Sequence, residues 1–581
     1  MRALASVPHR LGEERATVPT VVLPITSRGL VVTDRVCWAI LGVAMAVAAA
    51  LILYFNRGTT FYVDQIIFLY QTPELGVGDV LDPHNGHLIV TTRLAFKAIL
   101  ETFGAEYVAF RVLGVGSVLL SAGFFYALVK RRIGALPALA PAFVLLFLGS
   151  AWQHVVGPIG FTPIFSIALG LAALLALERG DRVGDIAACA LLIASVASYT
   201  SGLPFIVGAA ISVLAFRDRW KRAWIFLVPL ALYTVWWLWS QSQAGSSEGQ
   251  TELQNALLIP TWEVESLAAA LAAVTGLGFD FSGGSPPSID LSAGRVLAVV
   301  AVIALALRIR RGNVPVAVWA SLGIVVTWWA LGSLAFGVGR APDSVRYLYL
   351  GALGVMLVGV AAASGARFSR VGLVVLFGAC ALSLATNIVL LRDSGNYLRT
   401  VAATTRTELA MLELSRDRVD PGFNPAQPFG VESPLSITGT SASTYFGVAD
   451  RYGSLAMPIS ELEASSENLR AHADRLLATA LGLRLEGDPS PAPAQGCERV
   501  RSPAAGAPIG FALPAGGATL RAEGAGTVPV TLGRFAASPT VEAGSLTSGE
   551  SATLRIPPDD SPRPWHATVT GGNSVTVCPL S

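Results

Sequence analysis

The feature that most limits this chain is its succession of long apolar runs separated by short arginine-bearing breaks. Inside hydrocarbon a backbone amide finds no water to bond, so a chain crosses as helices of about 20 apolar residues. Runs of that kind fall at 36–54, 106–129, 135–151, 157–177, 185–200, 202–216, 223–240, 291–309, 314–332, 345–363 and 371–391. Some are short, so 185–200 and 202–216 are expected to tilt or re-enter. Of 581 residues 53% are hydrophobic and only 14% charged, where a soluble domain carries about 25% charged residues. A single water-soluble globule is excluded. With 41 basic and 39 acidic side chains the formal charge is +2. That balance is too even for the global field of a nucleic-acid binder, so no nucleic-acid partner is expected.

Loop charge sets the orientation. Alternate breaks carry Lys130-Arg131-Arg132, Arg179 with Arg182, Arg217 to Arg222, Arg308 to Arg311, and Arg367 with Arg370, and the N-terminal segment adds Arg2, Arg10, Arg15, Arg28 and Arg35. These share one side if the N-terminus is cytoplasmic. The opposite breaks, 55–105, 241–290, 333–344 and everything after 391, hold the polar chemistry. The expected fold is an all-α polytopic bundle of about 11 transmembrane helices, with a C-terminal extracytoplasmic α+β region ending in a small β-sandwich. Its parts read as a cytoplasmic segment 1–35, a membrane domain 36–391, a helical region 392–486, a Pro/Ala/Ser-rich linker 487–496 and a β module 497–581. Amphipathic stretches run from Tyr397 to Leu414 and from Glu461 to Leu485, and strands are expected at 518–522, 528–532, 552–556 and 574–578. Cys497 and Cys578 bracket that module, in a compartment where a disulfide between them survives. The multi-pass chain is assigned to a bacterial plasma membrane, surrounded by membrane lipid.

Polar residues of chemical interest gather at the outer breaks. Asp64 lies shortly beyond the first span, flanked by Phe61, Tyr62, Ile66, Ile67 and Phe68. Desolvation there raises a carboxyl pKa and makes a better base, unless a cation offsets it; the plainer reading is an acid facing water. Asp82-Pro83 reads as a helix start, Asp at the N-cap and Pro at the first position. On that helix His84, His87 and Thr91 share one stripe, with Arg93 and Lys97 opposite. Two histidines beside carboxylates suit a phosphate or a divalent ion, although a metal needs a third ligand. No cofactor is certain; a divalent metal stays open. His154 ends the third span on the same side, as a cavity-lining or a core histidine. Arg340 and Arg346 stand where short loops otherwise avoid positive charge, either to hold an anion or to pair with Asp343.

Asp64-Gln65 soon after the first span, the long outer loop and the late outer arginines together resemble the GT-C superfamily of membrane glycosyltransferases. Members carry acidic pairs in the first outer loop, and here only Asp64 maps onto that motif. The run Pro83-His84-Asn85-Gly86-His87, then Arg93 and Val345-Arg346-Tyr347-Leu348-Tyr349, is similar to uncharacterised actinobacterial membrane proteins described as glycosyltransferase-like. The resemblance implies a polyprenyl-phosphate sugar donor, an extracytoplasmic glycan, lipid or protein acceptor, and transfer with inversion. Asp64 is then the base and Arg346 with Arg340 the phosphate clamp. His84, Asn85, His87, Arg93, His154 and Tyr347 fall to substrate binding. The rival readings are a transporter or flippase of a lipid-linked saccharide, and a non-catalytic cell-envelope scaffold. No paired halves with broken helices appear in the sequence to favour a transporter.

Overall fold

The structure, a computed structural model, describes residues 22–23, 30–31, 33–157, 160–243, 253–280, 285–337, 340–425, 433–488, 496–504, 507–524, 526–559, 561 and 563–580. Arg2, Arg10, Arg15 and Arg28 of the N-terminal segment, and 489–495 of the expected linker, lie outside the described residues.

All the expected apolar runs lie in helices. Among the described residues eight helices are long and apolar enough to cross a membrane: Asp34–Phe55, Tyr107–Ile133, Ala135–Val155, Gln254–Thr275, Ser292–Arg310, Val316–Leu334, Val345–Ala362 and the first half of Arg370–Leu414. Phe161–Leu177, Thr200–Leu214 and Trp224–Ser240 are shorter apolar helices, and Arg182–Ser198 packs among them. The chain is a membrane protein.

One helix corrects the sequence reading. Residues 241–290 were expected as an outer break, yet they contain Ile259–Thr275, whose alanines Ala269, Ala270 and Ala273 are fully buried in the main core. Glu263 and Glu265 interrupt its apolar pattern, and small side chains rather than large ones fill the contact. Another full crossing here would exchange the two ends for every later segment. Instead, both ends of the helix approach the same end of the bundle. Asn255 donates to the Leu334 and Phe336 carbonyls at 3.3 Å, and Asn387 donates to Ala273 at 3.1 Å. The same Asn387 accepts from the Ser150 amide at 2.9 Å and hydroxyl at 3.0 Å, tying in the break of the third span. Gly149 must be glycine there, because a Cβ would stand 1.9 Å from the Asn387 carbonyl oxygen.

Side-chain contacts gather the basic breaks at one end. Lys130 pairs with Asp34, Arg131 and Arg132 with Glu178, and Arg222 with Asp185, while the Gly365 amide donates to Arg132 and the Arg308 guanidinium to Ala362. The opposite end carries residues 56–105, 199–202, 335–337 and 340–346.

The 371–391 span and the amphipathic 397–414 stretch are one continuous helix of 45 residues, Arg370–Leu414. At 1.5 Å per residue it is about 68 Å long, roughly twice a bilayer's hydrocarbon core. Its upper half carries the soluble region. Tyr445 donates to Glu413 at 2.6 Å, and Arg451 of helix Ala442–Tyr452 pairs with Glu101 at 2.8 Å. The stretch expected as one amphipathic element to Leu485 divides into Ile459–Glu463 and Glu467–Ala480. Asp474 on the latter accepts from the backbone amides of Arg534, Phe535 and Ala536 at 2.9 to 3.0 Å, docking the β module.

That module is two antiparallel sheets sharing one core. The larger has the order Leu485–Asp488, Ser551–Arg555, Gly517–Glu523, Ser574–Pro579, Glu498–Arg501, and the smaller has Ile509–Ala512, His566–Val569, Thr527–Gly533, Val541–Thr547. Gly487 and Asp488, expected in the linker, belong to the first strand, where they pair with Ala552 and Ser551. Cys497 and Cys578 are bridged beside the paired strands Glu498–Arg501 and Ser574–Pro579.

Candidate active site

A cavity of about 280 Å³ opens at the end of the bundle away from the basic breaks. Asp64, His84, Asn85, His87, His154, Arg340 and Arg346 all line it, drawn from four separate stretches of sequence. Arg93 and Tyr347, expected to touch substrate, do not. Arg93 turns away to donate to the Asp79 carbonyl, and Lys97 beside it donates to Leu75 at 2.7 Å, so both pin the 75–79 loop onto helix Val90–Phe103. Tyr347 packs edge-on against Trp262 and Trp328, with ring centroids 5.8 Å apart in each case.

The helix expected from Asp82-Pro83 does not form; the next helix begins at Val90. Asn85 and Gly86 take φ of 49° and 77°, and the His84 and His87 backbones exchange hydrogen bonds of 3.0 and 2.8 Å across them. Asn-Gly favours this two-residue hairpin turn, because both of its central residues need positive φ. That local preference defeats the capping signal. Facing residues of such a turn project from the same side, so the two histidines meet by a route other than the expected helical stripe.

Asp64 opens the short helix Asp64–Gln71, just after Val63 at φ 42°. A β-branched residue rarely adopts that conformation, and its strain is a local cost of aiming the next side chain. The His84 Nε2 lies 3.7 Å from the Asp64 carboxylate. Burial by itself raises the Asp64 pKa. The His84 imidazole beside it, then Arg346 and His87, outweigh burial and hold it below the usual carboxylate range. The cations therefore decide the question left open by the sequence: Asp64 is an ionised carboxylate at neutral pH. His87 is half-buried in the cavity wall. Burial first, then His84 and Arg340, push its pKa down to about 3, so it is neutral at physiological pH. Its Nδ1 stands 2.9 Å from the Thr200 hydroxyl, and its ring lies 4.3 Å from that of Tyr199.

Arg346 makes no ion pair and no hydrogen bond among the described residues, and Asp343 is not its partner. The Arg340 guanidinium donates to the Ala335 carbonyl at 3.2 Å. The buried Nδ1 of His154 has no partner either. Among the described residues, no group of three His, Cys, Asp or Glu side chains is placed to hold a metal ion. The cavity thus combines one carboxylate, two cations in no direct ion pair, and neutral imidazole.

Several lining residues were not anticipated: Tyr62, Gln65, Gln153, Tyr199 and Ile437. Tyr199-Thr200-Ser201 is a polar break between two apolar runs on the cavity side, a signal available in sequence. Ile437 descends from the soluble region, and nothing local announces it.

No protein-family model matches the chain, and no curated protein matches it. Two solved structures align with it loosely. The crystal structure of ArnT from Cupriavidus metallidurans bound to undecaprenyl phosphate shares 11% identity over 74% of this chain and 90% of that one, with a TM-score of 0.44. The same ArnT in the apo state shares 12% over 74% and 91%, with a TM-score of 0.45.

Proposed function

We propose that the chain is a membrane glycosyltransferase, moving a sugar from a polyprenyl-phosphate donor to an acceptor hydroxyl outside the bacterial cytoplasm. One observation carries this reading: an ionised carboxylate, Asp64, shares a cavity with a guanidinium, Arg346, that makes no direct ion pair among the described residues. Transfer joins the acceptor oxygen to the anomeric carbon and breaks that carbon's bond to a phosphate oxygen. The bonding pair leaves with the phosphate, and the hydroxyl proton passes to Asp64. In a single displacement the anomeric centre inverts.

Each lining group fits a step. The phosphate is a good leaving group, so it needs positive charge rather than a strong acid, and a guanidinium fork matches its oxygens. Arg346, with Arg340 beside it, fills that role. His84 orients Asp64, while neutral His87, His154 and Asn85 bind sugar hydroxyls. The apolar bundle beneath keeps the prenyl tail in lipid while its headgroup reaches Arg346. Basic breaks at the far end support a cytoplasmic location for that end, and so an outward cavity.

The test uses the purified protein in vesicles with a polyprenyl-phosphate carrying a radiolabelled sugar. Expected is release of free polyprenyl phosphate with label transferred to an acceptor. Movement of intact donor between leaflets without bond cleavage overturns the reading in favour of a flippase. Neither cleavage nor movement leaves a scaffold.

A further inference from the structure

Two open clefts follow the long helix away from the cavity. The nearer, about 360 Å³, is lined by Asp280, Ser288, Asp393 and Tyr397; the farther, about 690 Å³, by Arg399, Thr404, Ser466 and Asn468. Asn396 and Thr400, both exposed, line the two at once. They lie one helical turn apart, so the clefts are stretches of one groove.

The nearer cleft also shares a wall with the cavity. Tyr62, which lines the cavity, stands next to Tyr397, which lines the cleft. The Trp152 ring meets Tyr397 edge-on at 5.6 Å and donates to the Pro287 carbonyl of the cleft at 3.2 Å. Its neighbours Gln153 and His154 line the cavity. The cavity and the near cleft therefore lie side by side across this aromatic wall, and the near cleft runs on into the far one.

The lining is hydroxyls, amides, carboxylates and aromatic edges. Such groups bond dense hydroxyls as donors and acceptors, and flat sugar faces stack on rings. A single sugar needs only the cavity; a groove extending past two clefts suits a chain of several.

We propose that this groove binds an oligosaccharide acceptor, its reactive hydroxyl in the cavity and its body along residues 393–404. The inference rests on the transferase reading for which end enters, and glycan binding itself is measured separately. The full-length protein in detergent is applied to a glycan array graded by chain length, and the same preparation is assayed for hydrolysis of a polyprenyl-phosphate sugar. Expected is affinity that rises with length by about tenfold, the worth of one or two hydrogen bonds. Thr400→Trp, which obstructs both clefts from an exposed position, removes that rise and leaves donor hydrolysis unchanged. Asn396→Ala removes part of it. Length-independent affinity, no binding at any length, or a rise that survives Thr400→Trp overturns the groove. Length-dependent binding without donor turnover keeps the groove and defeats the transferase reading.

Discussion

The two ends of the membrane bundle use the same side chain for opposite purposes. At the basic end several cations sit with acids: Lys130 with Asp34 at 2.9 Å, Arg131 and Arg132 with Glu178 at 2.8 and 2.9 Å, Arg179 with Asp181 at 3.0 Å. At the cavity end the Arg346 guanidinium makes no direct ion pair among the described residues, and that of Arg340 holds a carbonyl. A paired guanidinium has its donors committed and its charge cancelled. An unpaired one keeps both for an arriving anion. Partner set, more than residue type, separates cations that serve the scaffold from cations held for a ligand.

That contrast is broken or sharpened most strongly at Asp64. Asp64→Asn keeps the shape and removes the proton acceptor, so kcat falls by about 10²–10⁴-fold while donor affinity holds. Unchanged turnover, measured by release of polyprenyl phosphate, removes Asp64 from the chemistry. Arg346→Ala comes next, with kcat/KM for the donor down by about 10²–10³-fold, and Arg346→Lys recovering part because charge returns without the fork. An equal loss toward donor and acceptor excludes phosphate as its target.

A smaller effect tests how the cations act on the base. The base form of Asp64 is present above its pKa, and that pKa is held below the ordinary value of about 3.9. The rate therefore stays level from neutral pH down past that value and falls only below it. His87, at about 3, gains charge only there too. His84→Ala removes the first of the groups that offset burial, so the acid limb of the pH–rate profile moves upward. A limb that stays in place shows that His84 does not tune Asp64.

The spans were legible because run length is a property of sequence, and Arg346 was legible because it breaks the loop-charge rule. Ile259–Thr275 escaped since its core contacts come from alanines and its pattern carries two glutamates. Asp64, His84 and His87 were found for partly wrong reasons: the histidines converge through an Asn-Gly turn that the Asp-Pro signal obscured. Arg93 and Tyr347 were misplaced because neighbourhood in sequence does not fix which way a side chain turns. Tyr62, Gln153 and Ile437 join the cavity through tertiary packing alone, where no local rule applies.

The weakest effect is expected at the basic end, and it completes the comparison. Lys130 is mostly covered and pairs with a largely exposed Asp34 while its ammonium sits 5.1 Å from the Trp38 ring centroid. Solvent screens such a pair, so breaking it costs about 0–1 kcal/mol of stability. Lys130→Met keeps the stem against Trp38 and deletes the charge. Thermal unfolding in detergent should shift slightly, and donor affinity and kcat should not move. If Lys130→Met weakens the donor as Arg346→Ala does, the two ends are electrostatically coupled across the bundle, and partner set no longer sorts its cations.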